Sequence, residues 1–419
     1  MRFLLCGLLL GSAALQLAAA EQPRTYVLEV EVPDLAVLDA LAEQGFDFDH
    51  RRGTTVTFFA SQAERAALAA RGFVIREVAM QPAPPAAAPK QLGVYNSYVS
   101  VRDQLQAYAA SFPAITRLEN LGNTQDFRAI WALRITDNPD IEEVEPEFKY
   151  VSTMHGDEPV GTEMMLYLID RLLTDYGADP RITALVNTTD IWIVPLMNPD
   201  GLSFGLRRNL SNVDLNRAFP RWPEEITGTV FDGAPLNAAG RELEVQHIMN
   251  WTVANSFVLS ANLHTGALVV NYPYDDAGVG SGNPAIAPDD ALLRDIALHY
   301  ASENPPMSAS TRFADGVTNG SAWFQIRGGM QDWNYRYAGC IEMTLELSDD
   351  KRPPENTLPQ FWADNEEALL IYLERVHDGV RGVVTDALSG EPLYAKVTVA
   401  GNPQPVFTDP DLDDYYRLL

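Results

Sequence analysis

The stretch Phe148-Lys-Tyr-Val-Ser-Thr-Met-His155-Gly-Asp-Glu158-Pro-Val-Gly161 reads as a buried strand that runs into a polar turn and then a helix. It sets His155 and Glu158 at the carboxyl end of a strand, where open α/β sheets place their ligands. A second apolar run, Phe257–Leu263, ends in the same way on His264. Around these two, strand-like runs at Arg128–Thr136, Phe148–Thr153, Ile191–Leu196 and Ile341–Leu347 alternate with helical patterns. The helical patterns cover Val101–Ser111, Glu158–Thr174, Gly240–Trp251, Asp289–Ser302 and Gln360–His377. The alternation predicts an α/β fold, a mixed β-sheet with helices on both faces, over residues 93–378. Apolar strands such as IWIVPL and FVLSANL suit the interior of such a sheet.

Three segments precede this block. Residues 1–20, MRFLLCGLLLGSAALQLAAA, have the plan of a secretory signal peptide cleaved after Ala20. The apolar run is short for a membrane anchor, so the expectation is a secreted or periplasmic protein with no stable membrane insertion once the signal is removed. Residues 21–80 form a small α+β unit. Its strands fall at Thr25–Val32, Thr54–Phe59 and Phe73–Val78, and its helices at Asp34–Glu43 and Ser61–Arg71. Residues 81–92 are a Pro/Ala-rich linker, extended and semi-rigid. After Gly379 the texture changes to short β runs, Arg381–Thr385 and Ala395–Val399, read as the incomplete start of a β-domain over 379–419.

The chain has 419 residues and a formal net charge of −27. Nothing supplies the basic footprint of a nucleic-acid binder. Cys340 is the one cysteine beyond the signal segment, so no intramolecular disulfide forms in the mature chain. On a buried strand its expected role is packing. The sequence says nothing of oligomeric state.

Two imidazoles and a carboxylate, His155, Glu158 and His264, make the His₂Glu set of a catalytic zinc site with one position open for water. The bound ion lowers the pKa of that water to about 7. His50, His247, His299 and His377 are read as ordinary surface or core histidines. The chain has no HExxH string, which argues against a zincin of that type.

Further motifs flank the site in sequence: Val213-Asp-Leu-Asn-Arg217, Met330-Gln-Asp-Trp-Asn-Tyr335 and Thr344-Leu-Glu346-Leu-Ser348. With HGDEPVG they resemble the M14 zinc carboxypeptidases, most closely the N/E (regulatory) subfamily, over roughly residues 93–378. The segment after Gly379 resembles the start of the transthyretin-like β-sandwich that follows the catalytic domain in that subfamily.

The resemblance implies one zinc per chain on His155, Glu158 and His264, with Glu346 as general base. Asp214 matches the acid that orients the first zinc histidine. Arg207 matches the arginine that polarises the scissile carbonyl, with its neighbour Arg208 as the alternative if the alignment slips by one. Asn216 and Arg217 match the pair that grips the terminal carboxylate, a task suited to a guanidinium fork. Asp275 matches the acid that selects C-terminal Arg or Lys, with Asp276 adjacent, and Gln331 matches a polar partner in that pocket. Phe324 stands where the family usually has a mobile tyrosine. It keeps the ring and loses the hydroxyl.

The expected activity is removal of basic residues from peptide or protein C-termini. The alternatives are cleavage of peptidoglycan stem peptides at diaminopimelate and, from another class, non-catalytic peptide binding. The 21–80 unit has a strand–helix–strand–strand–helix–strand order that invites comparison with the prodomains of digestive members. By that analogy it covers the active-site mouth until the linker is cut.

Overall fold

The computed structural model describes residues 26–79, 93–409, 412 and 414–419. The expected signal peptide and linker lie outside them. The N-terminal unit runs β1 (Tyr26–Glu31), a helix (Leu35–Glu43), β2 (Asp47–Arg52), β3 (Thr55–Ala60), a helix (Gln62–Ala70) and β4 (Ile75–Val78). Its helices start where the sequence places caps. Asp34 accepts from the Ala36 amide at 2.9 Å, and Ser61 and Glu64 form a reciprocal capping box. The strands pair antiparallel in the order β2-β3-β1-β4. No range was expected for β2. Its sequence, DFDHRR, offers one apolar side chain and no alternation, and it is a strand because β3 pairs with it.

The central block holds β5 (Thr116–Asn123), β6 (Ala129–Ile135), β7 (Glu147–Ser152), β8 (Asp190–Val194), β9 (Leu259–His264), β10 (Ala267–Tyr272), β11 (Val317–Asn319) and β12 (Ile341–Ser348). They form one mixed sheet in the order β11-β10-β12-β9-β7-β8-β6-β5. The inner four strands, β12, β9, β7 and β8, are parallel, and β10 and β6 flank them antiparallel. One face packs on the helices Tyr98–Ser111, Val160–Asp175, Asp290–Ser302 and Leu358–Glu374, through residues such as Leu105, Leu168, Ile296 and Leu369. The other packs on the helix Leu243–Ala254 through Val245, Ile248 and Met249.

Three of these strands carry no recognisable pattern. β5 reads TRLENLGN, an edge strand with mixed polarity; β10 is separated from β9 by two residues; β11 has three residues.

A third core joins the N-terminal unit to this sheet. Leu28, Leu38, Phe48, Val56 and Phe58 pack together with Ala267 and Val269 of β10 and with Trp323 and Phe324. The unit is therefore seated on the central block by a shared apolar core. At the other end, the strands Val380–Val383 and Asp414–Arg417 pair, as do Lys396–Val397 and Val406–Phe407. Arg417 fixes this segment to Asp289 at 2.6 Å.

Candidate active site

His155 lies in the turn after β7, Glu158 just before the helix at Val160, and His264 closes β9. All three are buried, and their ligating atoms fall within 4.8 Å of one another. Nδ1 of His155 and Nδ1 of His264 stand 2.9 Å apart, and the Glu158 carboxylate lies 3.1 Å from the first and 2.9 Å from the second. Two ring nitrogens turned toward each other beside a carboxylate cannot both hold a proton there, and a cation among the three resolves the conflict. The donor set therefore fits zinc. Behind it, Nε2 of His155 meets Asp214 at 3.0 Å, the contact that fixes a ligating imidazole's orientation.

Glu346 is level with His264 in the β9–β12 register, one strand across. The residue is half-buried, and its Oε2 is shielded from solvent with no hydrogen-bond partner among the described residues. Burial and the neighbouring Glu158 and Asp49 push its pKa up to about 8. Glu158 and Asp214 move the opposite way. Despite burial, His155 and Lys351 hold Glu158 well below the carboxylate range, and Arg207 and His155 do the same for Asp214. Burial and Arg207 press His155 downward, but Glu158 and Asp214 outweigh them and hold it at about 9. Burial and His155 take His264 down to about 4.

Arg207, on the loop after the helix Pro199–Phe204, donates to Asp214 through Nε at 3.0 Å and to Glu158 through Nη1 at 3.0 Å. Arg208 points away, to Asp47 at 2.8 Å. Of the two arginines, Arg207 is the one aimed into the cluster.

Asn216 and Arg217 lie in the 3₁₀ turn capped by Asp214, whose side chain accepts from the Asn216 amide at 2.8 Å. Asn216 Oδ1 accepts from the Met330 amide at 3.0 Å, tying this turn to the segment that carries Gln331. Asp275 is buried and accepts from Asn271 Nδ2 at 2.9 Å. Burial, then Asp332, raise its pKa well above the usual value. Asn271 Oδ1 and both amide atoms of Gln331 are buried with no partner among the described residues. Gly320 and Gly329 line the same space. A Cβ on Gly320 would sit 1.9 Å from Asp275 Oδ1, and one on Gly329 would sit 3.4 Å from Asp275 Oδ2 and from Asn216 Oδ1.

Several residues here have no sequence signal of their own. β2 of the N-terminal unit lies across the cluster. One Asp49 oxygen bonds Arg207, and the other meets Lys351 at 2.8 Å. Lys351 also contacts Asp157 at 3.0 Å and Glu158 at 2.9 Å. The Phe48 carbonyl accepts from Arg217 Nη2 at 2.8 Å, and the Phe48 ring meets Phe324 edge-on at 5.5 Å. His50 bonds Asp49 at 2.9 Å, so a histidine read as ordinary lies at this seam. Beside it a cavity of about 390 Å³ is lined by the acids Asp39, Glu43 and Asp47 and by Arg208, Arg217 and Arg327. The four lysines of the chain gave one weak hint, since Lys351 follows the strand of Glu346 closely.

An α/β sheet with two imidazoles, a carboxylate and a further acid at the ends of its central strands defines a metal-dependent hydrolase. The chain belongs to the zinc carboxypeptidase family (Peptidase_M14), whose model matches residues 101–368. It is 42% identical to mouse carboxypeptidase D over 335 residues, which is 75% of this chain and 24% of that protein. It is 40% identical to mouse carboxypeptidase M over 337 residues, 75% of this chain and 73% of that one. It is 38% identical to the human carboxypeptidase N catalytic chain over 339 residues, 73% of this chain and 74% of that one. These are N/E subfamily proteins, as the motifs implied. The chain spans about a quarter of the length of the carboxypeptidase D relatives it matches. In fold it is similar to carboxypeptidase A of Helicoverpa armigera, with TM-score 0.64, 20% identity and coverage of 84% of this chain and 97% of that one. It is also similar to thrombin-activatable fibrinolysis inhibitor, with TM-score 0.60, 17% identity and coverage of 84% and 99%.

Proposed function

We propose that this chain is an exported zinc carboxypeptidase that releases C-terminal Arg or Lys from peptides and is latent while residues 26–79 cover its mouth. One observation carries the basic preference: a buried Asp275 carboxylate shares a glycine-walled space with the unpartnered Asn271 Oδ1, on a loop bonded to the turn that bears the unpartnered Gln331. Acceptors kept dry without a donor suit a guanidinium or ammonium and reject an apolar side chain. Export rests on residues 1–20; among the described residues no helix is long and apolar enough to cross a membrane.

In this reading Arg217 and Asn216 grip the terminal carboxylate and set the last peptide bond over the cluster. His155, Glu158 and His264 hold zinc. When bound, that ion supplies a Lewis acid and lowers the pKa of a water. Arg207 donates to the carbonyl oxygen as it gains charge. Glu346 takes a proton from the attacking water and returns it to the departing amine, so the peptide C–N bond breaks as the new C–O bond forms. Asp214 keeps His155 in its ligating orientation. Phe324 meets the bound peptide by packing alone, with no hydroxyl to donate. In the intact chain the Phe48 carbonyl holds the Arg217 guanidinium and Asp49 holds Arg207, which supports latency.

The test is release of the last residue from matched peptides ending in Arg, Lys, Phe, Glu or diaminopimelate. It is run with and without chelator, on intact chain and on chain cut within residues 81–91. Chelator-sensitive release of Arg and Lys, faster after cutting, is expected. Equal release of Phe would sink the pocket assignment; preference for diaminopimelate would move the substrate to peptidoglycan; no release at all would favour peptide binding without catalysis.

A further inference from the structure

Resting on that reading of the Asp275 pocket, we infer that Asp332 is the positioning residue that decides which of two adjacent aspartates faces the substrate. Asp275 and Asp276 are neighbours on one loop, and a one-residue slip of the loop backbone would put the second carboxylate where the first stands. The structure holds them apart. Asp275 turns inward to Asn271 at 2.9 Å. Asp276 turns outward, bonding Gln325 and standing 3.3 Å from Arg327.

The element that fixes this choice is the short helix Met330–Trp333. Asp332 Oδ1 accepts from the backbone amide of Asp275 and Oδ2 from that of Asp276, each at 2.9 Å. A single carboxylate thus holds two successive amides, which locks the intervening peptide plane and the register of the loop. Arg336, on the next turn, braces the same loop: it donates to the Asp276 carbonyl, and its guanidinium lies 3.9 Å from the Tyr274 ring centroid. Asp332 is held at about 6, since burial outweighs the pull of Arg336 and the two amides, so the clamp is ionised at neutral pH. Gln331, immediately before Asp332, is carried by the same turn. The clamp therefore sets the relative placement of Asp275 and Gln331.

The test compares wild type with Asp332→Ala, which removes both acceptors, and Asp332→Asn, which keeps one. Peptides ending in Arg and in Phe are assayed on chain cut within residues 81–91, and amide hydrogen exchange is followed over residues 273–278. For Asp332→Ala, KM for the Arg peptide should rise about tenfold or more, the scale of losing buried charge-assisted bonds. Its kcat and both constants for the Phe peptide should change less than about threefold, and the Asp275 and Asp276 amides should exchange freely. Asp332→Asn should fall between, and Asp276→Asn should leave the preference for Arg intact. Equal losses on Arg and Phe peptides would show a merely structural role and overturn the proposal, as would retained amide protection. Should wild type itself show no preference for Arg, the pocket reading fails, and amide protection in Asp332→Ala still decides whether the clamp exists.

Discussion

The two ends of the cleft keep their buried acids in opposite states. At the metal end, Glu158 and Asp214 are held far below the carboxylate range by His155, Lys351 and Arg207. At the specificity end, Asp275 is pushed well above it by burial and by Asp332, with Asn271 alone bonded to its side chain among the described residues. Charges at the metal end are balanced by the chain itself. At the specificity end the imbalance is left for a ligand to neutralise, because a buried ion without a partner is costly and one with a partner is not. Glu346 belongs with the second group in its raised pKa, yet it sits with the first in space, which suits a group that must take and return a proton.

The largest effect that would break this contrast is at Glu346. Glu346→Gln should lower kcat by about 10²–10⁴-fold, the scale of a lost general base, while zinc content measured by atomic absorption stays at wild-type level. His264→Ala should instead lose the metal as well as the activity. A Glu346→Gln enzyme with near-normal kcat would place the proton transfer elsewhere.

Next in size is Asp275. Asp275→Asn should cut kcat/KM for Arg peptides by about a hundredfold, consistent with loss of a buried charge partner worth several kcal/mol, and leave Phe peptides nearly unchanged. A pH series sharpens the point. Because Asp275 is raised in the empty pocket, acid keeps it neutral, and a guanidinium must pull its proton off on binding. KM for Arg peptides should therefore fall as pH rises through the raised pKa of Asp275, whereas KM for Phe peptides should not share that trend. The sign for stability is the reverse: ionising this buried acid costs the empty chain stability as pH rises, and bound arginine should restore part of it in a thermal melt. A pH-independent KM for Arg would mean that Asp275 is already ionised and the two ends are alike.

The contrast also marks what a reader of the sequence can and cannot see. His155, Glu158 and His264 stand at or just after the carboxyl ends of apolar strands, so the metal set is legible from the residues, whereas Glu346 and Asp214 are legible only through the resemblance of their motifs to the family. The central strands are legible for the same reason: they are buried on both faces and read as unbroken apolar runs. β5, β10 and β11 are not, since an edge position, a two-residue connection and a three-residue length each erase the pattern. Asp49 and Phe48 are invisible because nothing in DFDHRR announces a segment that will lie against Arg207 and Arg217, residues more than 150 positions away. Asp332 is missed because its function lies in the backbone it holds, and backbone partners leave no mark on composition.

Asp49 offers an intermediate effect. In the intact chain Asp49→Ala removes the ion pairs to Arg207 and Lys351 while leaving the shared apolar core of Phe48, Phe58 and Phe324 in place. Two charge-assisted contacts contribute about 1.5–3 kcal/mol each when buried, and the freed cations recover part of that from Glu158 and Asp157. Activity of the intact chain should therefore rise about tenfold, with that of the cut chain unchanged. No rise would show that the apolar seat alone holds the cover closed, and an equal rise in the cut chain would show that Asp49 never left.

The smallest effect falls on Phe324, which lies between the two ends. Its ring is buried against Phe48 at 5.5 Å and Trp323 at 4.6 Å. In Phe324→Tyr the new hydroxyl enters an apolar seat in the intact chain, where burying it without a partner costs about 1–3 kcal/mol. Thermal stability of the intact chain should therefore drop by a few degrees, and its latency should loosen slightly. In the cut chain Phe48 no longer covers the ring, and the hydroxyl is free to donate to a bound peptide. One such bond is worth about 1 kcal/mol, or roughly a fivefold lower KM. Because the position belongs to neither charged end, the gain should be equal for Arg and Phe peptides, with kcat unmoved. A gain confined to Arg peptides would place Phe324 in the Asp275 pocket; a lower melting point with no change in KM would leave it as part of the cover's seat alone.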